Sequence, residues 1–315
     1  MSHYSNSYLE KYRECPLACL YRYELRLRKR EEGIESHHMA YSRAFHEGLR
    51  RLYLDSTLRE AQDAFLEHYP RQLDIGDLAK TRQNGITVLV EYARRWSEEN
   101  KRYRVIEVEQ LDHAEDGFVV KLDLVWQHKE TEQIFPCDHK VTGKYLNYDY
   151  WRQFEPNSQI VEYVRYVKEK FGFCDGFIID AVSMRHLQRA SKNGPAGFWC
   201  NFERQTFNVN ERQMEADLDS RRYWIDRIEH SKESGRWGMN TKSCYFCEYR
   251  DLCKAGWFYP EDQELIEISY RQVCGRWFRP SEEEPLVPCA LDLDHGGEHA
   301  LTIPDEAQVE FEIEV

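Results

Sequence analysis

The chain has 315 residues, 41% of them hydrophobic and 14% aromatic, which is enough to bury a sizeable core and excludes a disordered protein. It contains no apolar run of about 18 residues to span a membrane, and its start, MSHYSNSYLEKYRECP, lacks the apolar centre of a secretory signal, so a cytoplasmic location is expected, in a host cytoplasm if the chain is phage-encoded. The net charge of −13 argues against a nucleic-acid partner, but residues 261–315 carry 15 acidic and 3 basic residues, leaving 41 acidic against 40 basic in the body. A nearly neutral body can still present a basic groove, and the acidic tail reads as a separate module.

In chain order, residues 5–30 predict a helix that breaks near Cys15 and restarts at Pro16, because proline has no amide donor for a helix interior. Apolar residues at helical spacing predict further helices over 39–54, 57–70 and 84–100. The period then changes. VIEVEQLDH, GFVVKLDLVWQH and TEQIFPCDHKVT read as three strands of an antiparallel meander, with a turn at Asp116-Gly117. A helix follows from Pro156 to Gly172, then strands in CDGFIIDAVSM and GFWCNFERQTFNV, then a long helix over 211–234. Residues 240–257 are rich in cysteine and show no regular pattern. This order implies an α/β fold with a central mixed β-sheet flanked by helices, a domain over residues 1–258, and a small C-terminal metal-binding appendage over 259–315.

Chemistry concentrates on two of the meander strands. Asp123 interrupts an apolar run, and Asp138-His139-Lys140 follows on the next strand. Paired strands can bring Asp123 and Asp138 opposite each other. Alternation puts Asp138 and Lys140 on one face and turns His139 away. Two carboxylates suit a hard cation such as Mg²⁺ or Mn²⁺. A neighbouring lysine can orient a water and offset charge developing at phosphorus. On its own, Asp-x-Lys more often marks a solvated strand face, so its neighbours carry the argument.

Taken in order, His46, Asp123, Asp138-His139-Lys140 and Gln159-x3-Tyr163 resemble the RecB-like branch of the PD-(D/E)XK nucleases. That branch includes the AddB nuclease domain and CRISPR-associated RecB-like exonucleases with an iron–sulfur cluster. The resemblance covers residues 5–255 and implies a restriction-endonuclease-like fold. It also implies that His46, Asp123 and Asp138 hold Mg²⁺ or Mn²⁺, that Lys140 is catalytic, and that Gln159 and Tyr163 help shape a DNA-binding site. Leu122 stands where the motif name has proline.

Cys244, Cys247 and Cys253 form C-x2-C-x5-C, a spacing at which three thiolates can share one centre that still needs a fourth ligand. The resemblance supplies Cys15, just before Pro16, and implies a four-iron, four-sulfur (4Fe-4S) cluster on Cys15, Cys244, Cys247 and Cys253. A zinc ion on the same four ligands, or Cys19 in place of Cys15, are the alternatives. Cys137, Cys174 and Cys200 read as buried small hydrophobes. In the tail, Cys274, Cys289, His295 and His299 approximate a Cys2His2 zinc site. The expected activity is that of a metal-dependent deoxyribonuclease, an exonuclease acting on DNA ends or single strands in recombination, repair or phage DNA metabolism. The alternative is a catalytically inactive DNA-binding scaffold. The expected partners are DNA and, through the acidic tail, a protein.

Overall fold

The computed structural model describes residues 4–29, 37–74, 77–114, 116–189, 196–254 and 256, with the short strand segments 270–272, 277–278 and 287–288. Cys274, Cys289, His295 and His299 lie outside them. Helix α1 (Asn6–Glu14) is capped by the Ser5 side chain, which accepts the Tyr8 amide, and it stops at Cys15. Pro16 then opens α2 (Pro16–Cys19), as the sequence predicts. A π-helical turn, Leu20–Glu24, leads into strand β1 (Leu27–Lys29), where helix was expected. Arg26 ends the helical path by adopting a φ of 53°.

Three helices follow: α3 (His37–Tyr53), α4 (Leu58–His68) and α5 (Arg82–Asn100). Thr57 and Glu60 form a reciprocal capping box at the start of α4. Next come β2 (Tyr103–His113), β3 (Val119–His128), β4 (Ile134–Thr142), α6 (Tyr148–Arg152), α7 (Ser158–Phe171), β5 (Phe177–Leu187) and β6 (Gly197–Phe207). The long helix α8 (Glu211–Ser234), the short α9 (Arg250–Lys254) and strands β7 (Tyr270–Gln272), β8 (Trp277–Phe278) and β9 (Val287–Pro288) complete the described elements. Pro156 lies two residues before α7. The cap is Asn157, whose side chain accepts the Gln159 and Ile160 amides. Gly172 closes that helix at a φ of 85°, which favours glycine. Among the described residues, no helix is long and apolar enough to cross a membrane.

The chain divides into two compact units. The first, essentially Glu35–Ser220, holds a five-stranded sheet in the order β2-β3-β4-β5-β6. The β2-β3-β4 meander is antiparallel as expected, β4 and β5 run parallel, and β5–β6 is an antiparallel hairpin. The sheet is therefore mixed and flanked by helices, an α/β fold. On one face, Tyr41, Phe45 and Leu49 of α3, Phe65 of α4 and Leu89, Tyr92 and Trp96 of α5 pack with Leu124, Trp126, Cys137, Ile178 and Val182 of the strands. A parallel strand pair needs a crossover, and that crossover carries α6 and α7, with α7 packed on β3, β4 and β5.

The second unit joins Tyr4–Ile34 with Arg221–Val315. Strand β1 pairs antiparallel with β7, and Tyr21, Leu27, Tyr249, Leu252 and Tyr270 form its core.

Candidate active site

The site grows out of a gap between two strands. The β3–β4 ladder ends at the pair Leu124–Cys137, one residue short of Asp123 and Asp138. The His139 amide beyond that point finds no backbone acceptor on β3. It donates instead to Asp123 Oδ2 at 2.8 Å. A buried amide must be paired, and here a carboxylate side chain does what a strand carbonyl would have done.

Helix α3 brings His46 to the same carboxylate, with Nδ1 3.4 Å from Asp123 Oδ2 and 3.8 Å from Glu109 Oε1. Donor atoms of His46, Glu109 and Asp123 all lie within 4.8 Å of one another. Burial opposes the charged ring of His46, but Asp123 and Glu109 outweigh it and push its pKa up to about 10. Burial likewise opposes ionised Asp123, yet His46 and His139 hold its carboxyl well below the ordinary range.

Asp138 is 6% exposed and faces the same cluster. Burial pushes its pKa up to about 6, with Asp123 adding to the rise and Lys140 opposing it. The Lys140 ammonium is ion-paired to Asp138 Oδ2. On α7, Gln159 Nε2 donates to Tyr163 Oη at 2.9 Å. Burial and then the Asp138 charge raise the Tyr163 phenol, which places this helix turn beside the acids. His46 thus meets Asp123, Lys140 meets Asp138 and Gln159 meets Tyr163, with the charge of Asp123 acting on Asp138 and that of Asp138 on Tyr163.

Two features were missed in the sequence. Glu109 joins the cluster, although nothing in VIEVEQLDH separates it from Glu107. His139, expected to turn away, stands with Nδ1 3.7 Å from Asp123 and Nε2 3.9 Å from Asp180. Asp180 is fully buried. It accepts the Tyr92 hydroxyl at 2.5 Å and Arg204 Nε at 2.8 Å, and the Arg204 guanidinium lies between the rings of Trp96 and Trp126. Cys137, His139 and Asp180 are also close enough to share an ion. The guanidinium already neutralises that carboxylate, so this cluster is a structural ion pair.

In the second unit, Cys15, Cys244, Cys247 and Cys253 line one pocket, with Tyr21 and Tyr249. Cys19 is not among the lining residues. It is fully buried with its sulfur toward the Tyr8 carbonyl, and burial raises its thiol to about 12. Cys137 is fully buried as expected, whereas Cys174, between α7 and β5, and Cys200, on the edge strand β6, are only half-buried.

The sequence profile of the PD-(D/E)XK nuclease superfamily matches residues 3–254. The chain belongs to that superfamily of nucleases. A solved structure from Eubacterium rectale, provisionally assigned as an exonuclease, is similar at 12% identity with a TM-score of 0.45, covering 84% of this chain and 92% of that one. No curated protein matches the chain.

Proposed function

We propose that the chain is a divalent-metal-dependent deoxyribonuclease, an exonuclease of the RecB-like branch that acts on DNA ends or single strands. The observation that supports this reading is the contact of His46 with Asp123 at the end of the β3–β4 ladder, where Asp138, paired to Lys140, follows on β4, together with the Gln159–Tyr163 pair on α7. The donors are an imidazole and carboxylate oxygens, so the site suits a hard cation such as Mg²⁺ or Mn²⁺. When bound, that cation supplies Lewis-acid polarisation of a phosphoryl oxygen and an acidified water. His46, Asp123 and Asp138 would hold it, and the His139 amide, donating to Asp123 Oδ2, fixes the rotamer of Asp123. Lys140 keeps a cationic group beside Asp138, where it can orient a water and offset charge gathering at phosphorus. The Gln159 amide donates to the buried Tyr163 phenol, a pairing that would help shape the wall of the substrate site.

The test uses end-labelled single- and double-stranded DNA, with a closed circle as control, in the presence of Mg²⁺ or Mn²⁺. The wild-type protein is expected to degrade the linear substrates and spare the circle. Asp138→Ala and Lys140→Ala are each expected to lower the rate by at least about a hundredfold. Degradation that persists in both variants overturns the site assignment.

The second unit is proposed to hold a four-iron, four-sulfur cluster on Cys15, Cys244, Cys247 and Cys253. Support comes from the shared pocket and from the thiols themselves: burial raises Cys253 to about 11, and Cys247, Cys15 and Cys244 push it further in the same direction. Thiolates that repel one another this way are stabilised by a cationic centre. Anaerobically purified protein is expected to be brown and to contain iron and acid-labile sulfide. Colourless protein with one equivalent of zinc supports the tetrahedral alternative.

A further inference from the structure

Glu109 occupies an unusual place on β2. The β2–β3 ladder pairs Val108 with Leu124 and Gln110 with Leu122, and it passes over the position where Glu109 would face Asp123. At that position Glu109 has a φ of 50°, in the left-handed region that a non-glycine residue rarely enters inside a strand. Such a conformation costs about 1–3 kcal/mol and persists where its surroundings require it. Two like charges opposite each other across a ladder are destabilising, and both of these carboxylates are nearly buried. The groups facing Glu109 are Lys121, whose Nζ is 3.0 Å from Oε2, and His46, whose Nδ1 is 3.8 Å from Oε1.

The two carboxylate oxygens therefore have different neighbours. Oε2 is taken by lysine, while Oε1 faces the imidazole, inside the group of donors that also includes Asp123. Asp138, 6% exposed and ion-paired to Lys140, lies near enough to feel the charges of Asp123 and His46. An ion-paired surface glutamate would require neither the interrupted ladder nor the burial.

We propose that Glu109 is a metal-holding residue of this site, adding a third carboxylate to those of Asp123 and Asp138 beside His46, with Lys121 orienting it through its other oxygen. This rests on the reading of His46 and Asp123 as ligands, and the experiment separates the two. Mn²⁺ binding to the full-length protein is measured by calorimetry and by the electron paramagnetic resonance of free Mn²⁺. Glu109→Gln is expected to weaken binding by at least about tenfold, the scale on which even outer partners of a metal site act. Lys121→Met is expected to retain Mn²⁺ binding within a few-fold of wild type. If Glu109→Gln does not fold, Glu109→Gly provides the same measurement, because glycine accepts the positive φ at no steric cost. Wild-type affinity in the Glu109 variants, with affinity lost in His46→Ala and Asp123→Asn, overturns the role of Glu109 alone. An equal loss in Lys121→Met and Glu109→Gln overturns it as well, by showing that the ion pair is what matters. Wild-type affinity in His46→Ala and Asp123→Asn overturns the underlying assignment of the site.

Discussion

His46 and Asp123 illustrate how one buried contact sets two charges at once. Burial works against the protonated ring, but the acids hold its pKa up to about 10. A cation that binds to this imidazole must displace that proton. Between about pH 7 and 8.5, below that pKa, the apparent Mn²⁺ affinity is therefore expected to rise about tenfold per pH unit. The sign follows from the proton being bound in the free protein and released on binding. His46→Asn is expected to flatten the slope in calorimetry run at several pH values. A second buried charge carries stability rather than chemistry. Asp180→Asn leaves the Arg204 guanidinium, 7% exposed, without its buried carboxylate, so that, among the described residues, only the more exposed Glu99 still pairs with it. The expected cost is about 3–5 kcal/mol by urea denaturation. At this scale the sequence was informative where a period is short: Asp138 and Lys140 share a face because strands alternate. Glu109 and Asp180 were not legible. The first depends on an irregular φ, and the second on an arginine that arrives from another strand.

The elements are arranged so that one crossover serves the site. A parallel β4–β5 pair cannot be joined by a tight turn, and the connecting helix α7 comes to lie over the strands that carry the acids. On the opposite face the helices approach one another closely. A Cβ at Gly85 of α5 would lie 2.1 Å from the Phe65 ring, a fully buried side chain on α4. Gly85→Ala is expected to destabilise the protein by about 1–3 kcal/mol through overpacking, despite its better helix propensity, and to lower the thermal midpoint. Gly85→Ala as stable as wild type would show that α4 shifts to make room. Most helices and all five strands of the main sheet were readable from their periods. The exception is instructive. Residues 27–29 carry a helix-compatible pattern, yet they form β1 because their partner is β7, and no local signal announces a pairing so distant in sequence.

At the scale of the whole chain, the second unit draws its cysteines from both sides of the nuclease sheet: Cys15 precedes it, and Cys244, Cys247 and Cys253 follow it. Cys253→Ser is expected to lower iron content and to open residues 221–254 to limited proteolysis, while fragments from Glu35–Ser220 stay protected. Protection of both regions alike would mean that the cysteines do not stabilise their unit. The spacing C-x2-C-x5-C marked Cys244, Cys247 and Cys253 as a group, and they line one pocket, but the cysteine that joins them was not fixed by spacing, since Cys15 and Cys19 were both candidates. The pocket distinguishes them by its lining.

The pairing of β1 with β7 also orders events during synthesis. Leu27 leaves the ribosome long before its register partner Gln272 exists. The first strand and the helices before it must wait, unpaired, while more than two hundred residues are added. The nuclease sheet, contiguous in sequence, has no such delay and can form first. The protein is then built from the middle outward. A nascent chain stalled so that residues up to about 225 have emerged from the ribosome is expected to carry a protease-resistant catalytic unit with an N-terminal segment that is still cleavable. Arrest-peptide or pulse-proteolysis measurements on ribosome-bound chains can read that order directly.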